Sequence, residues 1–257
     1  MSAGRNHRRE LGGKVHLFPL ETPERYSQLK TIGILGGVGP QATMDFEARL
    51  HLVSQKRIPQ QHNTGYPPMV VYYHRHPPVV MTTAGVPEVP FRADPRLLDA
   101  ARKLGPLADF LVIPSNATHN FRADIERVSG REVLSIIDVT IAEVRRRGWR
   151  TVGVLGYGDP VVYTRPLQEL GIACETIDAA ARGRLDESIM GLIEGRTDAA
   201  LYVPALDAVA TLRARGIDGI IPGCTEIPLL LGESANDADL VNPAQLLAEA
   251  AVARAIA

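Results

Sequence analysis

One ten-residue pattern occurs twice in this chain. "TIGILGGVGP" begins at Thr31 and "TVGVLGYGDP" begins at Thr151. Each is an apolar, β-branched run that ends in a glycine-rich turn, with proline in the tenth place. Each is followed by a helical pattern, "QATMDFEARLHLVSQ" after the first and "VVYTRPLQELG" after the second. Strands that alternate with helices form parallel sheets, because a parallel neighbour is reached only through a crossover. Two matched beginnings in 257 residues therefore predict two similar α/β lobes.

The segments between fit that scheme. "MVVYY" (69–73) reads as a second strand, "PRLLDAARKLGP" (95–106) as a helix and "ADFLVIP" (108–114) as a strand. "SIIDVTIAEVRRRG" (135–148) reads as a helix stopped by Gly148. "TDAALYVPALDAVATLRARG" reads as a helix and "IDGIIPG" as a strand. The last segment, 242–257, is a helix capped by Asn242 with Pro243 in its first turn, expected to pack back on the first lobe. The expected division is a flexible extension over 1–28, a first lobe of 31–132 plus 238–257, and a second lobe of 133–237.

Composition excludes several classes of function. The formal net charge is −1, which gives no electrostatic footprint for nucleic acid or an anionic membrane surface. No apolar run reaches the roughly 18–20 residues of a membrane span. The basic start lacks the apolar stretch of a signal peptide. Two cysteines are too few for a disulfide framework and point to reduced thiols and a cytoplasmic protein. A zinc site needs clustered Cys and His ligands, and the sequence offers no such cluster.

Chemistry is expected where strands end, since open α/β sheets bind ligands at their carboxyl edges. "LVIPSNATHN" (111–120) and "GIIPGCTEIP" (219–228) are two such ends with one plan: apolar strand, Ile-Pro, then a polar loop. The first carries Ser115 with Asn116, Ala117, Thr118 and His119. The second carries Cys224 with Thr225 and Glu226. If the lobes face one another, Ser115 and Cys224 approach one cavity from opposite sides. A thiol at a strand end beside a helix start can have a lowered pKa. Cys174 alternates with apolar neighbours and reads as structural. His119 reads either as a general acid or base or as the partner of a helix cap, and Glu226 either tunes the thiol or caps a turn. The run His74, Arg75, His76 closes the second strand and reads either as cationic contacts to an anionic substrate or as a solvated loop.

Gly37-x-Gly39-x-x-Ala42 is a loose match to a dinucleotide-binding turn, but no carboxylate stands at the end of the next strand to hold a ribose, and Pro40 occupies the first helical turn. The turn is better read as a close-approach site for a small anion such as a carboxylate at a helix start. No Walker lysine follows it, which excludes a P-loop. No G-x-S-x-G elbow surrounds Ser115, so a serine-hydrolase reading leaves the cysteine loop unexplained.

Together, "TIGILGGVGPQAT", "IPSNATH" and "GCTEIPLLL" resemble the pyridoxal-independent aspartate/glutamate racemase superfamily, nearest its aspartate racemase branch, from about Thr31 to the last helix. The resemblance implies two pseudo-symmetric Rossmann-like lobes with the active site in the cleft between them, a homodimer, and no cofactor or metal. It implies a small carboxylate or amino-acid substrate held by Gly36, Gly37, Asn116, Ala117, Thr118, Thr225 and Glu226, with His119 and Arg75 as further acid–base or anion contacts. Two proton carriers would flank the substrate Cα, one from each lobe: Cys224, and at the other family position Ser115.

The departures fall on the acid-gripping parts. The family's "CNTAH" reads "SNATH" here, Val80 stands where its substrate-binding arginine is expected, the second-lobe turn is "GYG" (156–158), and the expected lysine falls near Glu194. Arg75, Arg165 or Arg196 are the candidates to replace those cations. Three accounts of Ser115 stay open: a natural relay through water or His119, a one-sided protonation as in arylmalonate decarboxylase of the same superfamily, or a trapped variant of a two-cysteine enzyme. A sensor that only binds a small acid is the non-enzymatic alternative.

Overall fold

The computed structural model describes residues 29–60 and 64–257. The extension expected over 1–28 lies outside them. The first lobe contains β1 (Ile32–Gly36), α1 (Pro40–Arg57), β2 (Met69–Tyr73), α2 (Pro95–Leu104), β3 (Phe110–Val112), α3 (Arg122–Ser129) and β4 (Val133–Leu134). Then follow α4 (Ile136–Arg146), β5 (Thr151–Leu155), α5 (Val161–Glu169), β6 (Ala173–Glu175), α6 (Ala179–Ile193), α7 (Val203–Arg213), β7 (Gly219–Pro222), the short α8 (Ile227–Leu231) and α9 (Pro243–Ile256).

Both sheets are parallel, as the alternation of strands and helices requires. The first has the order β2-β1-β3-β4 and the second β6-β5-β7. The repeat is structural: β1 and β5 are the central strands, each flanked first by the next strand in the chain and then by the strand that ends in Ile-Pro. The correspondence continues one step further. Leu111 of β3 pairs with Val133, and Ile220 of β7 makes an isolated parallel bridge to Leu240. Both sheets thus reach past the expected boundaries at 132 and 237, because a short extended segment after each Ile-Pro strand's half of the chain adds to that sheet before the chain leaves it. Neither segment is long enough to show alternation in sequence.

After each of these segments comes a capped helix. Ser135 Oγ accepts from the Asp138 N–H at 3.1 Å to start α4, and Asn242 Oδ1 accepts from the Ala244 N–H at 3.1 Å to start α9. The two helices cross over: α4 packs on α5 of the second lobe, α9 packs on α1 of the first, and α4 and α9 pack on each other. An Arg49–Gln245 hydrogen bond of 3.1 Å adds a polar tie between α1 and α9.

Successive strand residues face opposite sides, and this sets three apolar layers. Ile34, Val112, Val152, Val154 and Ile221 join Leu247, Ala251 and Val252 of α9 in one core that spans both lobes. The neighbouring residues Leu35 and Leu111 face an outer core with Leu97, Leu104 and Ile125. Leu155 and Ile220 face the other outer core with Leu185, Ile189 and Leu212. Burying one such side chain contributes roughly 1.5–3 kcal/mol, so the shared central layer fixes how the two carboxyl edges meet. Among the described residues, no helix is long and apolar enough to cross a membrane.

Candidate active site

The first-lobe turn is held tightly. Gly37 has φ +85°, and a Cβ there would stand 2.7 Å from the backbone nitrogen of His74. The His74 N–H donates to the Gly36 carbonyl at 2.8 Å. Thr43 Oγ1 donates to the Gly39 carbonyl at 3.0 Å and accepts the Gly37 N–H at 2.9 Å. The Gly36–Gly37 turn was expected to hold a carboxylate. Its Gly37 N–H is instead taken by Thr43, so the turn shapes the site without offering that donor.

The loop after β3 is pinned from two sides. Ser115 is half-buried, with its Oγ 2.8 Å from Thr118 Oγ1. His119 is buried; its Nδ1 lies 2.9 Å from the Ser115 carbonyl and its Nε2 lies 3.3 Å from the Ile136 N–H. The carbonyl can only accept and the amide can only donate, which sets the Nδ1–H tautomer. Burial lowers the His119 pKa to about 4, with Arg122 adding to the effect. A neutral ring with both nitrogens engaged clamps the loop to the start of α4 and touches the serine only at its carbonyl, which favours the pinning role over an acid–base one. Ala117 is exposed, whereas Asn116 and Thr118 are buried.

Asn116 is oriented from the other lobe. Tyr163, fully buried on α5, donates its hydroxyl to Asn116 Oδ1 at 2.6 Å. That contact leaves Asn116 Nδ2 buried without a hydrogen-bond partner among the described residues.

The loop after β7 begins with the Gly223 N–H donating to the Leu155 carbonyl at 2.7 Å. Cys224 is half-buried, and its Sγ donates to Glu226 Oε2 at 3.0 Å. Thr225 Oγ1 lies 3.2 Å from the same carboxylate oxygen and 3.4 Å from the Pro114 carbonyl, which joins this loop to the Ser115 loop. Burial, then the Glu226 charge, push the Cys224 thiol well above its ordinary pKa. The lowered value expected for a thiol beside a helix start is therefore reversed: α8 is one short turn, and an acidic neighbour outweighs it. Burial also raises the Glu226 carboxyl, opposed by its bonds to Cys224 and Thr225. A Cβ on Gly39 would overlap Glu226 Oε1, so this second-lobe carboxylate rests against the entrance of α1.

Arg75 is exposed and stacks over the Tyr73 ring at 4.7 Å from its centroid, outside this cluster. Arg165 is exposed, and Arg196 is held by Glu194 and the Glu187 carbonyl. Cys174 lies on β6 with its thiol pushed up by partial burial, in keeping with a structural residue. Sequence reasoning missed Tyr163, Thr43, Asp186 and Tyr157. Asp186 accepts the Gly158 N–H at 2.9 Å, and its charge, like that of Glu226, raises the Cys224 thiol; Tyr157 in turn feels the cysteine. Tyr157 and Gly158 belong to the second glycine-rich turn, a signal that could have pointed to them. Tyr163 and Thr43 sit at matched helix starts, with no pattern of their own.

Three comparisons bear on this arrangement. A protein of Bacillus subtilis (strain 168), the broad specificity amino-acid racemase RacX, is 24% identical over 242 residues, covering 88% of this chain and 98% of that one. The Picrophilus torridus aspartate racemase structure superposes with a TM-score of 0.69 at 20% identity, over 88% of this chain and 94% of that one. An aspartate racemase homologue from Pyrococcus horikoshii OT3 superposes at 0.64 with 22% identity, over 88% and 99%. These structures establish the two-lobed fold. Residues 35–251 match the family described as Asp/Glu/Hydantoin racemase, and across that span this chain belongs to that family.

Proposed function

We propose that this chain is a cofactor-independent amino-acid racemase or epimerase that moves the Cα proton, with Cys224 on one face of the substrate and Ser115 on the other. The observation that carries the reading is the 3.0 Å contact between Cys224 Sγ and Glu226 Oε2. A thiol with a raised pKa is a poor base by itself. A buried carboxylate that also prefers its protonated form can take the thiol proton, so the pair shares one proton between sulfur and oxygen. The thiolate then removes the Cα proton, and the electron pair passes into the substrate carboxylate. Asn116 Nδ2, buried and unpartnered among the described residues, is the donor available to stabilise that developing charge. Ser115, bonded to Thr118, delivers a proton on the opposite face and is replenished from solvent.

The two faces are unequal. Cys224 has a carboxylate at hydrogen-bond distance, while among the described residues Ser115 Oγ has only another hydroxyl. This asymmetry also favours a second reading, a single-cysteine decarboxylase of malonate-type acids, in which loss of CO2 makes the carbanion and Cys224 alone protonates it.

Proton exchange in D2O separates the two. With L- and D-amino acids, the Cα–H signal of one enantiomer should disappear faster than the other enantiomer accumulates, and Cys224→Ala should abolish both processes. Ser115→Cys should raise the rate of inversion. An unchanged rate in Cys224→Ala would sink the assignment. Exchange of no amino acid, with CO2 release from aryl- or alkylmalonates, would establish the decarboxylase instead.

A further inference from the structure

The second glycine-rich turn leaves its sheet beside the cysteine loop. Leu155 of β5 pairs with Pro222 of β7, and the Gly223 N–H donates to the Leu155 carbonyl at 2.7 Å. Residues 156–158 and 224–226 therefore depart side by side from one carboxyl edge, where an open sheet binds its ligand. Asp186, on α6, is fixed to that edge: its Oδ1 accepts the Gly158 N–H at 2.9 Å. Further along α6 the Ile193 carbonyl accepts Gln41 Nε2 of the first lobe at 3.4 Å. Asp186 and Ile193 lie two turns apart, a spacing that returns a helix to nearly the same face. The face of α6 that carries Asp186 thus runs along the cleft, tied at one end to the cysteine edge and at the other to the first lobe.

Asp186 carries an unanswered charge there. It is half-buried, and among the described residues the Gly158 N–H is its hydrogen-bond donor and no cation forms an ion pair with it. Arg182, one turn earlier on α6, acts on it by Coulombic attraction without reaching ion-pair distance. Burial raises the Asp186 carboxyl, opposed by the Gly158 bond and by Arg182. Charges taken out of water are held by partners, so a partly buried carboxylate without one suits a cation from outside the chain. The charge of Asp186 reaches both Cys224 and Tyr157, and Glu226, which also acts on the thiol, is negative as well. Arg75 stacks on Tyr73 and Arg196 is held by Glu194, so neither answers these acids. At the other end of the face, Gln41 Oε1 is buried with no hydrogen-bond partner among the described residues, a further acceptor without a donor.

We infer that Asp186 is a specificity-determining residue whose free carboxylate oxygen receives a cationic group at the end of the substrate side chain, so that the preferred amino acids are basic ones such as lysine, ornithine and arginine. A fixed anion in a partly desolvated cleft attracts an ammonium or guanidinium group and repels a second carboxylate, so one charge selects for one class and against the other. The Gly158 N–H holds one oxygen of Asp186 in place and leaves the other to the ligand. The inference rests on the racemase reading for the reacting Cα and goes beyond it in naming the side chain.

The test compares charged amino acids with neutral ones of the same shape, lysine with norleucine and arginine with citrulline, by Cα exchange in D2O, with glutamate as the anionic reference. The charged member of each pair should exceed the neutral one by about ten-fold or more in kcat/KM, the worth of one charge-assisted hydrogen bond, and glutamate should be poorer than both. Asp186→Asn keeps an oxygen for the Gly158 N–H and removes the charge; it should bring the lysine-to-norleucine ratio close to one. Any effect of the lost charge on the Cys224 thiol is common to both members of a pair and cancels in the ratio. Asp186→Glu keeps the charge and should keep the preference. Lysine should also protect Cys224 from alkylation at lower concentration than norleucine, a difference that Asp186→Asn should abolish whether or not turnover follows. Norleucine equal to lysine in the wild type, or a ratio unchanged in Asp186→Asn, overturns the inference and leaves the racemase reading standing. Protection by lysine without Cα exchange keeps the side-chain assignment and removes the racemase reading. Neither exchange with any amino acid nor a difference in protection overturns both.

Discussion

The hydroxyl of Tyr163, on α5 of the second lobe, donates to the side-chain oxygen of Asn116, in the first-lobe loop, at 2.6 Å. Thr140 Oγ1, on α4, lies 3.4 Å from the same hydroxyl. This bond decides which end of the Asn116 amide is left over. The oxygen is occupied, so the NH2 group remains to meet a ligand. The contact also couples the relative placement of the lobes to the orientation of a single donor.

Tyr163→Phe keeps the ring and removes the hydroxyl. It should lower stability by about 1–2 kcal/mol, read as a reduced denaturant midpoint with an unchanged slope. The freed Asn116 amide should lower kcat for Cα exchange several-fold, with a smaller change in KM, because its donor serves the charge that develops in the substrate carboxylate. Parallel losses of kcat and KM affinity would mean that the bond is only structural.

Burial, then the Glu226 charge, hold the Cys224 thiol high, and Glu226→Gln removes the second of these. The thiol should then titrate at lower pH, visible as an earlier rise in alkylation rate. Cα exchange should nevertheless fall by about 100-fold, because the proton acceptor is gone. Stability supplies a second reading. A carboxyl whose folded pKa is raised above its ordinary 4.5 contributes fully below that value and loses its contribution as pH rises. The Gln variant should therefore gain on the wild type as pH rises above 4.5, as followed by thermal melts.

Gly39 adopts φ −116° and ψ 107°, an extended conformation open to alanine. Gly39→Ala should thus fold, at a cost of about 1–3 kcal/mol from overpacking against Glu226. With the carboxylate displaced from Cys224, exchange should drop more than the stability loss alone accounts for. Normal activity in this variant would place the functional conformation of Glu226 elsewhere.

His119 gives the fold an acid limit. Its folded pKa, about 4, lies below the ordinary 6.5. A group depressed in the folded state contributes stability above its unfolded pKa, and that contribution is lost as pH falls through 6.5 towards 4. The loss is on the order of 3 kcal/mol. His119→Gln should be less stable at neutral pH, because the clamp between Ser115 and Ile136 is weakened, and its melting temperature should change less between those two pH values.

The sequence by itself determined a good deal. The repeated strand–turn unit at Thr31 and Thr151 specified two parallel α/β lobes, because apolar runs, glycine turns and helical periodicity are local properties of the chain. The strand over 69–73 and the Asn242-capped last helix stand as read. Cys224, Ser115, Asn116 and Thr225 were legible as members of two polar loops at strand ends, because open sheets expose their loops there.

Tertiary structure decided the rest. β4 and its counterpart at Leu240 are too short to carry a pattern and exist only because a neighbouring strand offers them a partner. Whether a thiol is acidified or suppressed depends on the burial and charge around it, and Glu226 lies in contact only through the fold of its loop. His119 became a clamp and not a base because Ile136, distant in sequence, supplies an amide to its second nitrogen. The orientation of the Asn116 amide could not be foreseen either, because Tyr163 of the other lobe takes its oxygen. That bond is a relation between groups from different lobes, and no single stretch of sequence contains it.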